Sequence, residues 1–141
     1  MIFIFFCLSL QEYIKHYSDD KFIKGSMTDG IAHSVDKSKV TEDDNFSVER
    51  QYKTYQKSFY TKPNRKYLTM GDESKLKYKD SKPKHESQLY RSSLLKAGLF
   101  VLKNRDKCVE YDRGSDTYNS KKCSSSDNQK FHLLDKPDEA V

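Results

Sequence analysis

The 141-residue sequence predicts an all-β fold, and three observations carry that prediction. Apolar runs are short and broken by turn residues at intervals of roughly eight to twelve positions, as in a sandwich or barrel. Ten Tyr and eight Phe supply the aromatic side chains that suit half-buried sheet surfaces. Strand anchors also recur: Phe59, Tyr67, Gln88 and Tyr90 are each followed 41 residues later by Phe100, Cys108, Gln129 and Phe131.

The length fits one domain. With 33% charged and 35% hydrophobic residues the chain is polar, and its mean hydropathy is −0.94. Low hydrophobicity with high charge favours disorder, but each buried aromatic removes a large apolar area from water. A marginal core with long solvated loops is the expected balance.

Residues 1–9, MIFIFFCLS, form an uncharged apolar run. A bilayer span takes about 20 residues, so stable membrane insertion is not expected. The run suits the h-region of a secretory signal with Cys7-x-Ser9 as a cleavage site; the alternative is a buried first strand. The first reading predicts a secreted, extracellular protein whose domain covers residues 10–137. Its three units then occupy about 11–49, 57–93 and 98–135.

The first unit opens with a strand over residues 11–18, with Ile14 facing inward. Asp19, Asp20 and Lys21 make the turn, and Phe22 and Ile23 return as a strand. Ile31 and Val35 supply the third strand, residues 35–44 read as a mobile polar loop, and Asp44-Asn45-Phe46 closes the unit. Tyr52 and Tyr55 sit in the following link. The second unit turns at Lys62-Pro63-Asn64-Arg65, where proline presets φ. Its most basic stretch, residues 75–84, holds Lys75, Lys77, Lys79, Lys82 and Lys84. Leu76 and Tyr78 alternate with lysines there, as in a strand with one solvated face. The bland reading is a lysine-guarded edge strand; the sharper one is an anion-binding surface.

The third unit begins at the apolar run Leu99-Phe100-Val101-Leu102. Cys108-Val109-Glu110 opens its second strand, Tyr118 falls in a third, and Cys123 precedes the closing Gln129-Lys130-Phe131. An opening cysteine followed by an apolar-acidic pair, a second cysteine and a closing Gln-x-aromatic resembles the repeat of ricin B-type (QxW) β-trefoil lectins. The resemblance implies a β-trefoil of three repeats, each about 40 residues long. It implies a disulfide between Cys108 and Cys123, worth about 3 kcal/mol in the chain-entropy model. It further implies carbohydrate contacts at Glu110, Tyr118, Asn128 and Gln129, while Gln129 and Phe131 equally suit a scaffold role. This sequence departs from the pattern with Glu for Asp and Phe for Trp. Thr69 and Lys24 stand where the other units would carry the acidic ligand.

No Gly-rich phosphate loop, nucleophile elbow or His-Glu-x-x-His motif occurs, so no enzyme activity, cofactor or metal is expected. His16, His33, His85 and His132 are scattered and read as surface or strand-end residues. The chemistry that remains is recognition. A carboxylate and an amide present opposite polarity to neighbouring sugar hydroxyls. The predicted partners are therefore glycans or glycoproteins. The net charge of +5 makes a protein partner or a sulfated polysaccharide the alternative. Nucleic acid is not expected for a secreted chain.

Overall fold

The computed structural model describes residues 11–25, 28–50, 57–70, 75–84, 88–94, 96 and 98–139. The signal-like run at 1–9, Tyr52, Tyr55 and His85 lie outside them. Among the described residues there are twelve strands, in three successive groups of four. The first group is β1 (Gln11–His16), β2 (Lys21–Ile23), β3 (Ser34–Asp36) and β4 (Phe46–Arg50). The second is β5 (Lys57–Thr61), β6 (Tyr67–Met70), β7 (Leu76–Lys79) and β8 (Tyr90–Ser93). The third is β9 (Leu99–Asn104), β10 (Lys107–Asp112), β11 (Thr117–Lys122) and β12 (Phe131–Leu134).

The outer strands of each group build a nearly closed barrel. β8 pairs with β9, β9 with β12, β12 with β1, β1 with β4 and β4 with β5, while β5 lies beside β8. The inner strands form three hairpins, β2–β3, β6–β7 and β10–β11, that cap one end. The hairpins interlock: Ala32 N–H donates to Leu76 O at 2.9 Å, Tyr78 N–H to Gly30 O at 2.8 Å, and Lys75 bridges to Asn119. β7 is therefore tied on both sides rather than left as the free edge that its lysines suggest.

Matching positions in the three groups fill the core in layers. Ile23, Leu68 and Val109 are all fully buried, as are Ile14, Phe59 and Leu102. Fully burying one such side chain contributes about 1.5–3 kcal/mol. One level further on, three cross-strand pairs meet: Met70 faces Leu76, Tyr111 faces Tyr118, and the register of Ile23 with Ser34 places Gly25 opposite Ala32. The pairs are medium, large and small. Close packing requires that compensation, because a core of fixed volume cannot hold three pairs as large as Tyr111 and Tyr118. At Gly25 a Cβ would lie 1.7 Å from Asp43 O, so no larger residue fits without moving the backbone.

The 41-residue spacing holds from β6 to β10 and slips elsewhere: Leu76 corresponds to Tyr118 and the buried Leu89, rather than the half-exposed Tyr90, to Phe131, each 42 residues on. Phe100 is only half-buried, and Leu102, two residues on, takes the interior place of Phe59. The reason is turn length. Residues 62–66 separate β5 from β6, but only Arg105 and Asp106 separate β9 from β10, with Arg105 in the left-handed region at φ 57°. The expected mobile loop at 35–44 is also corrected. It contains part of β3 and two 3-10 turns, Lys37–Lys39 and Glu42–Asp44, the second closed by a Thr41–Asp44 capping box.

Each first strand of a group ends in a buried polar residue, His16, Thr61 or Asn104. Thr61 Oγ1 accepts from Lys66 N–H at 3.0 Å, and Asn104 Nδ2 donates to Gln88 O at 2.8 Å. Both bonds tie adjoining segments. His16 is a strand-end residue, as one of the two expected readings has it, but not a surface one, since the closed barrel leaves it 2% exposed.

Candidate functional site

The β10–β11 hairpin positions the site through strand parity. Tyr111 pairs with Tyr118 and points into the core, so the next rung, Glu110 with Asn119, points the other way. Both members of that outer rung are half-exposed. A carboxylate and an amide thus stand side by side across one ladder, with Cβ atoms about 5 Å apart in such pairs.

Gln129 fixes the carboxylate from behind. Its Nε2 donates to Glu110 Oε1 at 3.2 Å and to Lys122 O at 3.0 Å, and its Oε1 accepts from Ser124 N–H at 2.8 Å. Gln129 is 1% exposed, and its amide is committed to these bonds. Both of its amide atoms are thus bonded within the fold, where the resemblance implies a sugar contact. Among the described residues the second oxygen of Glu110 takes no partner. Asn128 is exposed, at the middle of the 3-10 turn Asp127–Gln129, and its Oδ1 accepts from Ser18 Oγ at 3.4 Å. The Cys108–Cys123 disulfide is formed, with Cα atoms 4.9 Å apart, and anchors the start of this turn-bearing segment to β10.

Tyr118 is not available as a stacking platform. It is fully buried, so neither ring face reaches solvent. Its hydroxyl and His16 Nε2 are 2.5 Å apart, and His16 Nδ1 lies 2.9 Å from Asp19 Oδ1. Arg113 in turn donates to Asp19 Oδ2 at 3.2 Å. This carboxylate–imidazole–hydroxyl chain has the order of a nucleophile relay, but its hydroxyl is enclosed and no substrate reaches it. Burial pushes His16 down to about 4, against a smaller upward pull from Asp19, and pushes the Tyr118 phenol upward. The imidazole is therefore neutral, and it supplies the hydrogen bond that a phenol needs inside an apolar core.

A second polar cluster clamps the third hairpin to the first. Asp116 Oδ1 accepts from Tyr111 OH at 2.7 Å, Ser34 Oγ at 2.6 Å and Ser34 N–H at 3.1 Å. Burial alone would raise the Asp116 carboxyl, but these donors outweigh it and hold it low. His33 lies beside Asp116 O at 2.7 Å through Nδ1 and beside Asp29 Oδ2 at 2.9 Å through Nε2. Two acceptors flank its two ring nitrogens, and only the imidazolium donates from both. Burial works against that charge, yet the bonds to Asp29 and Asp116 win and raise the His33 value.

The corresponding places in the other units are differently built. Thr69 is fully buried opposite Lys77, and the backbone oxygen of Lys24 accepts from the Tyr78 hydroxyl. Neither presents a carboxylate. The lysines of residues 75–84 differ in their surroundings. Lys82 Nζ pairs with Glu49 Oε1 at 3.1 Å, Lys79 and Lys84 are exposed, and Lys75 and Lys77 are half-buried. The backbone bridge brings Lys75 beside Asn119 on the third hairpin. Asn119 is the residue that sequence reasoning missed. Alternation places it outward once Tyr118 is known to point inward, but nothing in the spacing says which of the two faces the core.

No protein-family model matches the sequence, and no curated protein matches it. Solved structures do. The designed 3-fold symmetric protein ThreeFoil superposes with a TM-score of 0.75 at 15% identity, covering 89% of this chain and 99% of that one. The Rhizoctonia solani agglutinin gives 0.72 at 13%, covering 89% and 94%. SeviL, solved bound to asialo-GM1 saccharide, gives 0.71 at 12%, covering 88% and 95%. These likenesses span nearly the whole of each of those chains, and they agree with the barrel of outer strands and the cap of three hairpins. The chain is a β-trefoil.

Proposed function

We propose that this trefoil is a secreted carbohydrate-binding module that recognises glycans or glycoproteins through a single site on its third unit. The observation that carries the reading is Glu110, held by the buried Gln129 and paired with Asn119 on an outward rung. A carboxylate locked by a second residue meets a sugar hydroxyl without first losing rotamer freedom, which is what a weak site most needs. Asn119 donates and accepts beside it, and Asn128 borders the same buried glutamine. The names of two structural neighbours, an agglutinin and a protein solved bound to a saccharide, support the class of ligand. Secretion is supported by the apolar run at 1–9 and by the disulfide, which persists in oxidising compartments.

One site of this kind binds weakly unless it is displayed in multiple copies. The test is a glycan array probed with oxidised, multivalently presented protein at low and high salt. The expected result is salt-resistant binding to neutral sugars, lost in Glu110→Ala and Asn119→Ala and weakened in Asn128→Ala. Neutral-sugar binding that survives all three substitutions places the site elsewhere.

A further inference from the structure

We infer that the β5–β6 turn of the second unit carries a further binding site, in which Arg65, fixed by Tyr60 and Tyr67, reads the carboxylate of an acidic sugar. The turn is closed at its base. Thr61 N–H donates to Lys66 O at 2.9 Å, and Lys66 N–H donates to Thr61 Oγ1 at 3.0 Å. Between them Arg65 occupies the left-handed region at φ 46°, a place more usual for Gly or Asn. Its side chain is then held twice. The guanidinium lies over the Tyr60 ring, 5.2 Å from the centroid, and Nε donates to the Tyr67 hydroxyl at 3.2 Å. That hydroxyl is itself fixed, because it donates to Glu49 Oε2 at 3.3 Å and Tyr67 is buried. A surface arginine ordinarily loses much rotamer freedom when it binds an anion. Here that freedom is already gone.

The guanidinium is held but not satisfied. Among the described residues only its Nε has a hydrogen-bond partner, and Arg65 enters no ion pair. The nearby carboxylates are taken by other cations: Glu49 pairs with Lys82 at 3.1 Å, and Asp80 pairs with Lys66. Arg91 and Arg113 likewise pair with Glu12 and Asp19. Lys62, exposed in the same turn and also without an ion pair among the described residues, adds to the positive potential. Arg65 is exposed, so its two terminal nitrogens present a planar fork that matches a carboxylate through two parallel hydrogen bonds. The half-exposed Tyr60 ring beside it offers apolar surface to the C–H face of a sugar. The choice of a sugar as carrier of the carboxylate rests on the carbohydrate reading above. Arg105 is an internal control. It stands in the corresponding β9–β10 turn, exposed and left-handed at φ 57°, and among the described residues no aromatic ring or hydroxyl holds its side chain.

The experiment follows the Arg65 Nε–H and the backbone amides of residues 60–67 by NMR in the oxidised full chain. The probe is a hyaluronan tetrasaccharide, whose only charged groups are carboxylates. The same oligosaccharide with its carboxyls reduced to alcohols, and a tetraglutamate peptide, are titrated beside it. The expected result is a saturable shift with the acidic sugar, none with the reduced one, and binding to the peptide weaker by roughly fivefold. Arg65→Lys keeps the charge but loses the fork, and should weaken binding on the order of tenfold. Tyr67→Phe frees Nε and should weaken it by roughly threefold, while Arg105→Gln leaves it within about twofold. Parent-like binding by Arg65→Lys, equal loss in Arg105→Gln, an equal shift with the reduced sugar, or equal affinity for the peptide overturns the assignment. Glu110→Ala separates this claim from the third-unit site. It removes neutral-sugar binding on the array and leaves the Arg65 shift in place, so the two readings fail independently.

Discussion

The second and third units share one scaffold and use it oppositely. Gln88 and Gln129 occupy the same place before the closing strand, at 3% and 1% exposure. Gln129 ties together Glu110, Lys122 and Ser124, while Gln88 Nε2, among the described residues, has no hydrogen-bond partner. The outer rung is Glu110 with Asn119 in one unit and a buried Thr69 with Lys77 in the other. The inner rung is Tyr111 with Tyr118 against Met70 with Leu76. The third unit has a disulfide and a core phenol–imidazole bond. The comparison teaches that the trefoil frame needs only apolar layers, and that a site needs a buried polar group held by every one of its bonds.

Tyr118→Ala tests the inner rung and has the largest expected effect. It removes an aromatic from the core and leaves His16 Nε2 unpartnered, and it should cost about 3–5 kcal/mol in denaturant unfolding. Met70→Ala, at the corresponding level of the second unit, should cost less, about 2–3 kcal/mol, because no polar partner is stranded. Equal losses would mean that the hydrogen bond to His16 adds nothing.

Acid gives the next effect. The folded value of His16, about 4, lies below the ordinary 6.5, so the unfolded chain binds the proton more readily between those values. The His16 contribution is complete above pH 6.5 and is lost as pH falls toward 4, by roughly 3 kcal/mol in total. His33 works with the opposite sign: its raised value gives stability that is present below pH 6.5 and is lost as pH rises through that value. Urea midpoints across pH should therefore fall toward acid in the parent protein and flatten in His16→Gln. An unchanged acid slope in that variant would contradict the assignment.

Reducing the disulfide, or Cys108→Ser/Cys123→Ser, should cost about 3 kcal/mol from a loop of this size. The smallest effect discriminates the units most sharply. Gln129→Leu strands the part-buried Lys122 O and Ser124 N–H and frees Glu110, and should cost about 1–3 kcal/mol and abolish sugar binding. Gln88→Leu removes an Nε2 that has no partner among the described residues, and should cost less than Gln129→Leu. If both substitutions cost the same, the division between the units is wrong.

Much of the frame could be read from the sequence because apolar layers leave a spacing. Tyr67 and Cys108 fall at that spacing, and Leu68 and Val109 follow them into the core, as Ile23 follows Phe22 in the first unit. The spacing slipped at Phe100, where a shorter turn moved the interior place to Leu102. The site was less readable. Parity in a strand is known only when its register is known, and a hairpin's register follows from its turn, here closed with Asp116 in the left-handed region at φ 53°. Hence Tyr118 was read as outward and Asn119 was missed. The bond from His16 to Tyr118 joins residues 102 apart and leaves no local signal. Residues 75–84, by contrast, are basic in sequence but partly paired in space, Lys82 with Glu49.

The most direct test of one working site in three similar units is a residue-by-residue map of sugar contact. Backbone amide NMR shifts of the oxidised protein would be followed during titration with a neutral saccharide chosen from the array. The account predicts that the largest shifts gather at Glu110, Asn119 and Asn128, with Lys24 and Thr69 unmoved. Shifts centred on the first or second unit, or spread equally over all three, would contradict it.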